Sequence, residues 1–231
     1  MIWTSSEAQE IDRLSSQTYG IPALQLMEEA GLAIYHLALR LWKPYSHFLI
    51  LAGGGNNGGD ALVVARLLLD AKFSFTCLDL SHGKTSAERD HQRLNLEKRG
   101  YALQAFQGAK DLGVFRERDL IVIDGLLGIG LKGPLRPGPV VDCLEAVKTL
   151  QAKVVLAISV GNGASYSAGA QEGVYCDVDY VSTVYQVGEG EAAPEDLPDL
   201  NYVPFDDQVP PEHPALQYLL NDNVVRNVTL T

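Results

Sequence analysis

Three glycine-rich segments carry the residues that could do chemistry. The first, GGGNNGGDALVVARLL (Gly53 to Leu68), holds five glycines within seven residues, followed by an aspartate. One or two glycines suffice for a sharp turn. A cluster of this density points to positive φ angles and to backbone amides left bare for a ligand. The helical pattern that follows supplies unpaired N–H groups and a partial positive charge, which suit an anion. Asn56 and Asn57 add side-chain amides and carbonyls. Asp60 is placed to cap the helix or to accept from a sugar hydroxyl. The spacing is not G-x-G-x-x-G, and no Lys-Ser/Thr pair closes a Walker A loop. The other reading of this segment is a tight strand–helix turn with no ligand.

The second segment is DGLLGIGLKGPLRPG, Asp124 to Gly138. Asp124 ends an apolar run and so belongs at the rim of a sheet, as a ligand-facing group or as a turn carboxylate. Gly128, Gly130 and Gly133 keep the loop close, and Lys132 and Arg136 bring positive charge. That combination suits a phosphate or pyrophosphate, although each cation alone also fits a solvated surface. The third segment is SVGNGASYSAGA, Ser159 to Ala170. Ser159 and Asn162 are neutral hydrogen-bonding groups, able to orient a substrate or to ligate a hard cation through oxygen. Neither is a general base near neutral pH. No G-x-S-x-G elbow surrounds Ser159, which argues against a serine hydrolase.

Other reactive residue types are read as structural. His36, His47, His82, His91 and His213 are scattered without metal-like pairing, and Cys77 lies inside an apolar run. Cys77, Cys143 and Cys176 have no close spacing, so neither a disulfide framework nor a zinc site is expected. Glu29 reads as a solvated helix face. Glu28 becomes a remoter acid–base candidate if its helix packs near the rim.

The elements that must position these loops alternate along the chain. Two helices come first, one capped by Ser5 or Ser6 and ended by Gly20. The second has Pro22 in its first turn and runs to about Trp42, with Leu24, Met27, Ala30, Ile34, Leu37 and Leu41 at helical spacing. HFLILA (His47 to Ala52) and DLIVID (Asp119 to Asp124) are short continuous apolar runs, as expected of strands covered on both faces. FSFTCLDL, a short piece near Ala102 to Phe106, KVVLAISV and DYVSTVYQ read as further strands. ALVVARLLLDA and GPVVDCLEAVKTLQA read as core helices, and SAERDHQRLNLEKRG as a polar surface helix ended by Gly100. Repeated strand–helix–strand order implies a mostly parallel sheet with helices on both faces. In such sheets ligands gather at the carboxyl ends of the strands, where all three glycine segments fall. The acidic, proline-rich tail from 189 to 231 carries no readable pattern. With no internal repeat and no linker, one domain over 1–231 is expected.

Composition narrows the classes further. The 231 residues are 46% hydrophobic and 20% charged, with 18 basic against 29 acidic side chains and a formal charge of −11. This is ordinary globular composition, and the acidic balance disfavours broad capture of nucleic acid. No apolar run approaches the roughly 20 residues that span a bilayer. The start MIWTSSEAQEIDRL lacks the order of a signal peptide, so a cytoplasmic protein without membrane or nucleic-acid partners is expected.

Three blocks taken together resemble a known family, the YjeF N-terminal domain, represented by the NAD(P)H-hydrate (NAD(P)HX) epimerases. GGGNNGGDALVVARLL is similar to that family's G-x-G-N-N-G-G-D-G-x-x-x-A-R-x-L signature. LQLMEEAG (Leu24 to Gly31) is similar to its L-M-E-x-A-G helix, and VIDGLLGIGLKGPLRP to its D-A-L-x-G-T-G-L-x-x-P-x-R loop. Order and spacing agree over roughly residues 5 to 190. The resemblance implies a Rossmann-like three-layer α/β/α sandwich, frequently dimeric. It also implies an isomerase that interconverts the R and S epimers of hydrated NADH or NADPH, so that a partner dehydratase can repair the whole pool. Substrate contacts would come from Asn56, Asn57, Gly58, Gly59 and Asp60. The loop Gly128, Ile129, Gly130, Leu131, Lys132, Gly133 and Pro134 would hold the pyrophosphate. Potassium would be bound by Asn57, Asp124 and a residue of the third loop.

The third loop departs from the family pattern. Where the family has D-I-P-S-G, this chain has Ser159-Val160-Gly161-Asn162-Gly163. Ser159 replaces the aspartate that serves the nicotinamide end, and Asn162 replaces the serine on potassium, where its amide oxygen would ligate. A lysine that the family usually carries is also missing near Gln186 to Gly188. Asp124, together with Ser159 at the family's catalytic position, is left as the expected catalytic pair. Two readings follow: an epimerase with an altered third loop, or a catalytically degenerate relative that binds a nucleotide or acts as a scaffold.

Overall fold

A computed structural model describes residues 13–116, 118–128, 135–150, 152, 154–158, 180–182 and 228–230. The apolar run HFLILA forms β1 (His47–Ala52) with its expected bounds, buried along its whole length. It is followed by α2 (Asn56–Asp70), β2 (Phe75–Asp79), α3 (Ala87–Lys98), β3 (Gln104–Ala105) and β4 (Leu120–Gly125). Then come α4 (Pro139–Lys148), β5 (Val154–Ala157), β6 (Tyr180–Ser182) and β7 (Val228–Leu230). Helix α1 (Ala23–Leu41) precedes them; Pro22 is its N-cap in extended geometry rather than its first helical residue.

The strands form one sheet in the order β3-β2-β1-β4-β5-β6-β7. All neighbouring pairs are parallel except β6 with β7. The edge strand β7 comes from the tail, where the sequence carries no readable pattern. Side chains of β1 alternate between two cores, as the pleat requires. Phe48 and Ile50 pack with Ile34, Leu62, Leu68 and Leu96 of α1, α2 and α3 on one face. Leu49 and Leu51 pack with Cys143, Leu144 and Val147 of α4 on the other. The result is the expected three-layer α/β/α, Rossmann-like sandwich. Helix α2 leaves β1 toward one face and α4 follows β4 toward the other. The connections therefore part company between these two strands, and a crevice at their carboxyl ends is the expected ligand position.

His47 stands at the opposite end of β1, about 16 Å away by strand rise. It is a satisfied core histidine: Nδ1 pairs with Ser74 Oγ at 2.8 Å and Nε2 with Thr76 Oγ1 at 3.0 Å. Its ring stacks on Phe115 with centroids 5.5 Å apart. Burial, helped by the nearby Arg118 charge, pushes its pKa from an ordinary 6.5 down to about 4. Because the folded value lies below the unfolded one, protons favour the unfolded chain as pH falls from 6.5 toward 4. Between pH 7.5 and 5 this group alone should remove about 2 kcal/mol of stability. Denaturant unfolding at the two pH values checks this, and His47→Gln should flatten the difference by about that amount.

Candidate active site at the sheet rim

The first glycine segment owes its composition to crowding. Among the described glycines, positive φ angles occur only at Gly20, Gly83, Gly100, Gly108 and Gly138, and so at none of Gly53, Gly54, Gly55, Gly58 or Gly59. The expectation of left-handed turns there is therefore corrected. What the segment needs is room for backbone. A Cβ on Gly53 would lie 2.1 Å from the Leu126 carbonyl oxygen, one on Gly54 2.1 Å from that of Lys84, and one on Gly58 2.0 Å from that of Gly53. Gly55 is the contrast, because a Cβ there meets no heavy atom within 4 Å. It is exposed, beside the exposed Asn56.

The helix begins earlier than its apolar pattern suggests. Gly55 is the N-cap and no side chain caps α2, so Asn56, Asn57 and Gly58 form its first turn. Their amides have no partner four residues back within the helix, which is the arrangement that attracts an anion. Asp60 lies one turn further in and is not the cap. Gly58 and Gly59 are buried, and Asp60 is half-buried. Gly31 of α1 packs so closely on α2 that a Cβ would come within 2.4 Å of the Val63 side chain.

The second segment meets the first at Asn57. Leu51 and Ala52 of β1 stand in register with Asp124 and Gly125 of β4, and Gly53 N–H donates to the Gly125 carbonyl at 3.1 Å. Asp124 is only 3% exposed, and its Oδ1 accepts from Leu126 N at 2.9 Å. That short-range bond turns the chain sharply out of β4. Leu127 then offers its carbonyl to Asn57 Nδ2 at 2.7 Å. A Cβ on Gly128 would fall 2.4 Å from Asn57 Oδ1, so Gly128 exists to let the amide sit there. Gly128→Ala should displace that amide and cost about 1–2 kcal/mol. Thermal denaturation and the Asn57 side-chain amide resonance report the two effects.

The described part of the rim thus brings together Asn57, Asp124 and Gly128, with Asn56 and Gly55 at its mouth. The donors are a carboxylate and amide oxygens, which suit a hard cation more than a transition metal. Among the described residues no group of three or more His, Cys, Asp and Glu could hold a metal ion. The chain reaches the third loop beside Asp124, whose carbonyl accepts from Ile158 N at 2.9 Å. Ser159 and Asn162 lie outside the described residues, as do Ile129, Gly130, Leu131, Lys132, Gly133 and Pro134. Arg136 is exposed.

Glu28, the remoter acid–base candidate, is engaged between helices. It pairs with Arg66 of α2 and accepts from Gln92 Nε2 of α3 at 2.7 Å, tying three helices together. The reading of α3 as a surface helix also needs correction, because Arg89, Gln92 and Leu96 are fully buried. Their spacing of three and four residues is a helix face, the one signal by which two polar residues could have been placed inside. Arg89 reaches the glycine segment itself: its Nε donates to the Gly53 carbonyl at 2.7 Å and its Nη2 to Asp79 Oδ1 at 2.5 Å. Cys77 is buried, as expected, and burial drives its thiol pKa upward.

A family model described as YjeF-related protein N-terminus matches residues 23–187. The chain is 34% identical over 195 residues to the bifunctional NAD(P)H-hydrate repair enzyme Nnr of Hyperthermus butylicus, covering 81% of this chain and 35% of that one. It is 32% identical over 180 residues to the NAD(P)H-hydrate epimerase of Limosilactobacillus fermentum, covering 78% of this chain and 83% of that one. It therefore spans about a third of the bifunctional relatives it matches, and most of the shorter one. The crystal structure of yeast ynu0 superposes with a TM-score of 0.60 at 25% identity, covering 69% of this chain and 70% of that one. With the family model spanning most of the sheet and both described glycine segments, the chain belongs to the YjeF-related N-terminal family.

Proposed function

We propose that this protein is an NAD(P)H-hydrate epimerase, an isomerase that interconverts the R and S epimers of hydrated NADH and NADPH. One observation carries the reading. The amide of Asn57 reaches over to the Leu127 carbonyl beside the buried Asp124, closing the first two segments into one rim. Relatives of similar length bear the epimerase name. Inverting the hydrated ring carbon requires reversible loss and return of water, or ring opening, and hence a proton shuttle. Asp124 is our candidate to hold that proton. Ser159 stands at the family's aspartate position and supplies a hydroxyl that orients the substrate rather than a base. The first turn of α2, with Asn56, Asn57, Gly58, Gly59 and Asp60, binds the dinucleotide, and residues 128–134 hold its pyrophosphate.

The donor set fits a potassium ion, which Asn57 and Asp124 would hold together with Asn162 of the third loop. Bound there, it would supply positive charge beside an anionic substrate. The bifunctional relatives suggest a dehydratase as partner, fused or separate. Ser159 favours a second reading, a relative that binds the nucleotide without epimerising it.

A coupled assay separates the two readings. A stereospecific dehydratase consumes one epimer of an NADPHX mixture and leaves the other. Adding this protein should draw the remaining epimer through. If the residual epimer decays no faster than in its absence while NADP+ still binds saturably, the binding reading holds.

A further inference from the structure

The three peptide groups that leave β1 all turn their carbonyls to one side. Ala52 O accepts from Leu80 N at 2.8 Å, Gly53 O from Arg89 Nε at 2.7 Å, and Gly54 O from Ser86 N at 3.0 Å. All three donors belong to the segment from the end of β2 into α3. A trans peptide is planar, so its N–H points away from its C=O. Pulling these carbonyls toward α3 therefore turns the amides of Gly53, Gly54 and Gly55 away from it. The first of them confirms the geometry, since Gly53 N–H meets the Gly125 carbonyl at 3.1 Å. By the same planarity the amides of Gly54 and Gly55 also face away from α3.

Two of the three donors are backbone groups, while the middle one is a charged side chain with 0% exposure. Its neighbours explain how the charge is held. The Nε and Nη2 edge of Arg89 forms a fork on the Gly53 carbonyl and on Asp79 Oδ1, and the same Asp79 oxygen accepts from Ser81 N at 2.8 Å. Among the described residues Nη1 has no hydrogen-bond partner, and an Asp90 carboxylate oxygen lies 3.9 Å from it. Ser86 caps α3 by accepting from Arg89 N at 3.2 Å, which fixes the helix turn that carries the guanidinium. A buried ion pair is poor value for stability alone, because well-packed apolar residues do as well. Its use here is geometric.

We propose that Arg89 is a positioning residue for nucleotide binding. By holding the Gly53 carbonyl, it fixes the plane of the Gly53–Gly54 peptide and so aims the Gly54 amide at the anionic part of the ligand. This rests on the reading of the rim as a dinucleotide site. Fully buried, Arg89 acts through the Gly53 carbonyl, and a lysine cannot replace it, because an ammonium lacks the planar fork that spans two acceptors.

The test compares wild type with Arg89→Lys and with the double variant Arg89→Met, Asp79→Asn, which discharges the pair and keeps an acceptor for Ser81 N. The double variant should keep a cooperative thermal transition, with KM for NADPHX and Kd for NADP+ raised about tenfold and kcat changed less than about threefold. Arg89→Lys should fall between the two. A merely structural role would instead lower kcat with the folded fraction and leave KM unmoved. Unchanged KM and Kd in a folded double variant overturn the proposal. If wild type neither epimerises NADPHX nor binds NADP+, the functional reading fails, and amide exchange judges the geometry alone. Exchange at Gly53 and Ser86 should then quicken about tenfold in the double variant while Ile121 to Ile123 hold; equal exchange at all of them overturns the positioning role.

Discussion

Ser159→Asp should accelerate the exchange of S and R NADPHX by about 10²–10⁴-fold, the range that a positioned acid–base group contributes. The substitution returns a carboxylate to the position where the family carries one, on the loop that the chain enters directly after Ile158, beside Asp124. Two carboxylates at one rim resist simultaneous ionisation, so one of them should hold its proton to higher pH. The pH–rate profile of the variant should therefore gain a limb above the ordinary carboxylate range, absent from wild type. Nucleotide affinity should change little, because the bare amides of α2 are untouched. An unchanged rate with NADP+ affinity intact would show that Ser159 is not what limits the reaction.

Gly53→Ala should cost about 3 kcal/mol or more, at or beyond the top of the usual range for overpacking. Its Cβ would lie 2.1 Å from the Leu126 carbonyl oxygen and 2.8 Å from the carbonyl carbon. Neither is the yielding end of a flexible side chain, so the backbone leaving β4 must move. That movement would take with it the Leu126 amide bonded to Asp124 and the Leu127 carbonyl bonded to Asn57. Stability and site are thus lost together, with a fall in thermal midpoint of about 6–12 °C. Gly55→Ala is the internal control, because its Cβ meets no heavy atom within 4 Å. It should leave the midpoint within about 1 °C while crowding the mouth of the rim and weakening NADP+ binding. Equal midpoints for the two variants would contradict the crowding account.

The layers of this fold were legible because the covered strands announce themselves. HFLILA and LIVID are runs with no polar interruption before Asp124, and the glycines at their ends mark the rim. The meeting of Asn57 with the second segment was legible only as a family motif. The bond that makes it, Asn57 to Leu127, joins residues seventy positions apart, and no local pattern encodes that pairing. Arg89 and Gln92 misled for the same reason. Within α3 they read as solvent-facing residues among AERDHQRLNLEK, while their partners Gly53, Asp79 and Glu28 lie on the loop after β1, on β2 and on α1. Residue type signals burial only when the interior is apolar, and a buried polar network inverts the signal. The glycines show a subtler limit. Their density did mark the site, but the cause is steric approach of backbone to backbone, which sequence cannot distinguish from a need for positive φ. The strand β7 pairs antiparallel at the sheet edge, a contact set by tertiary context and not by the pattern of VTL.

On the proposed function, the rim built by Asn57, Gly128 and Asp124 turns one NAD(P)HX epimer into the other. The decisive experiment incubates resolved S NADPHX in potassium buffer with wild type, with Asp124→Asn and without protein, and follows the epimers by chromatography. R epimer should appear faster with wild type than without protein, and the rate for Asp124→Asn should fall by about 10²-fold or to the uncatalysed level. Wild-type exchange no faster than the uncatalysed reaction, in protein that is folded and binds NADP+, would rule out epimerisation at this rim.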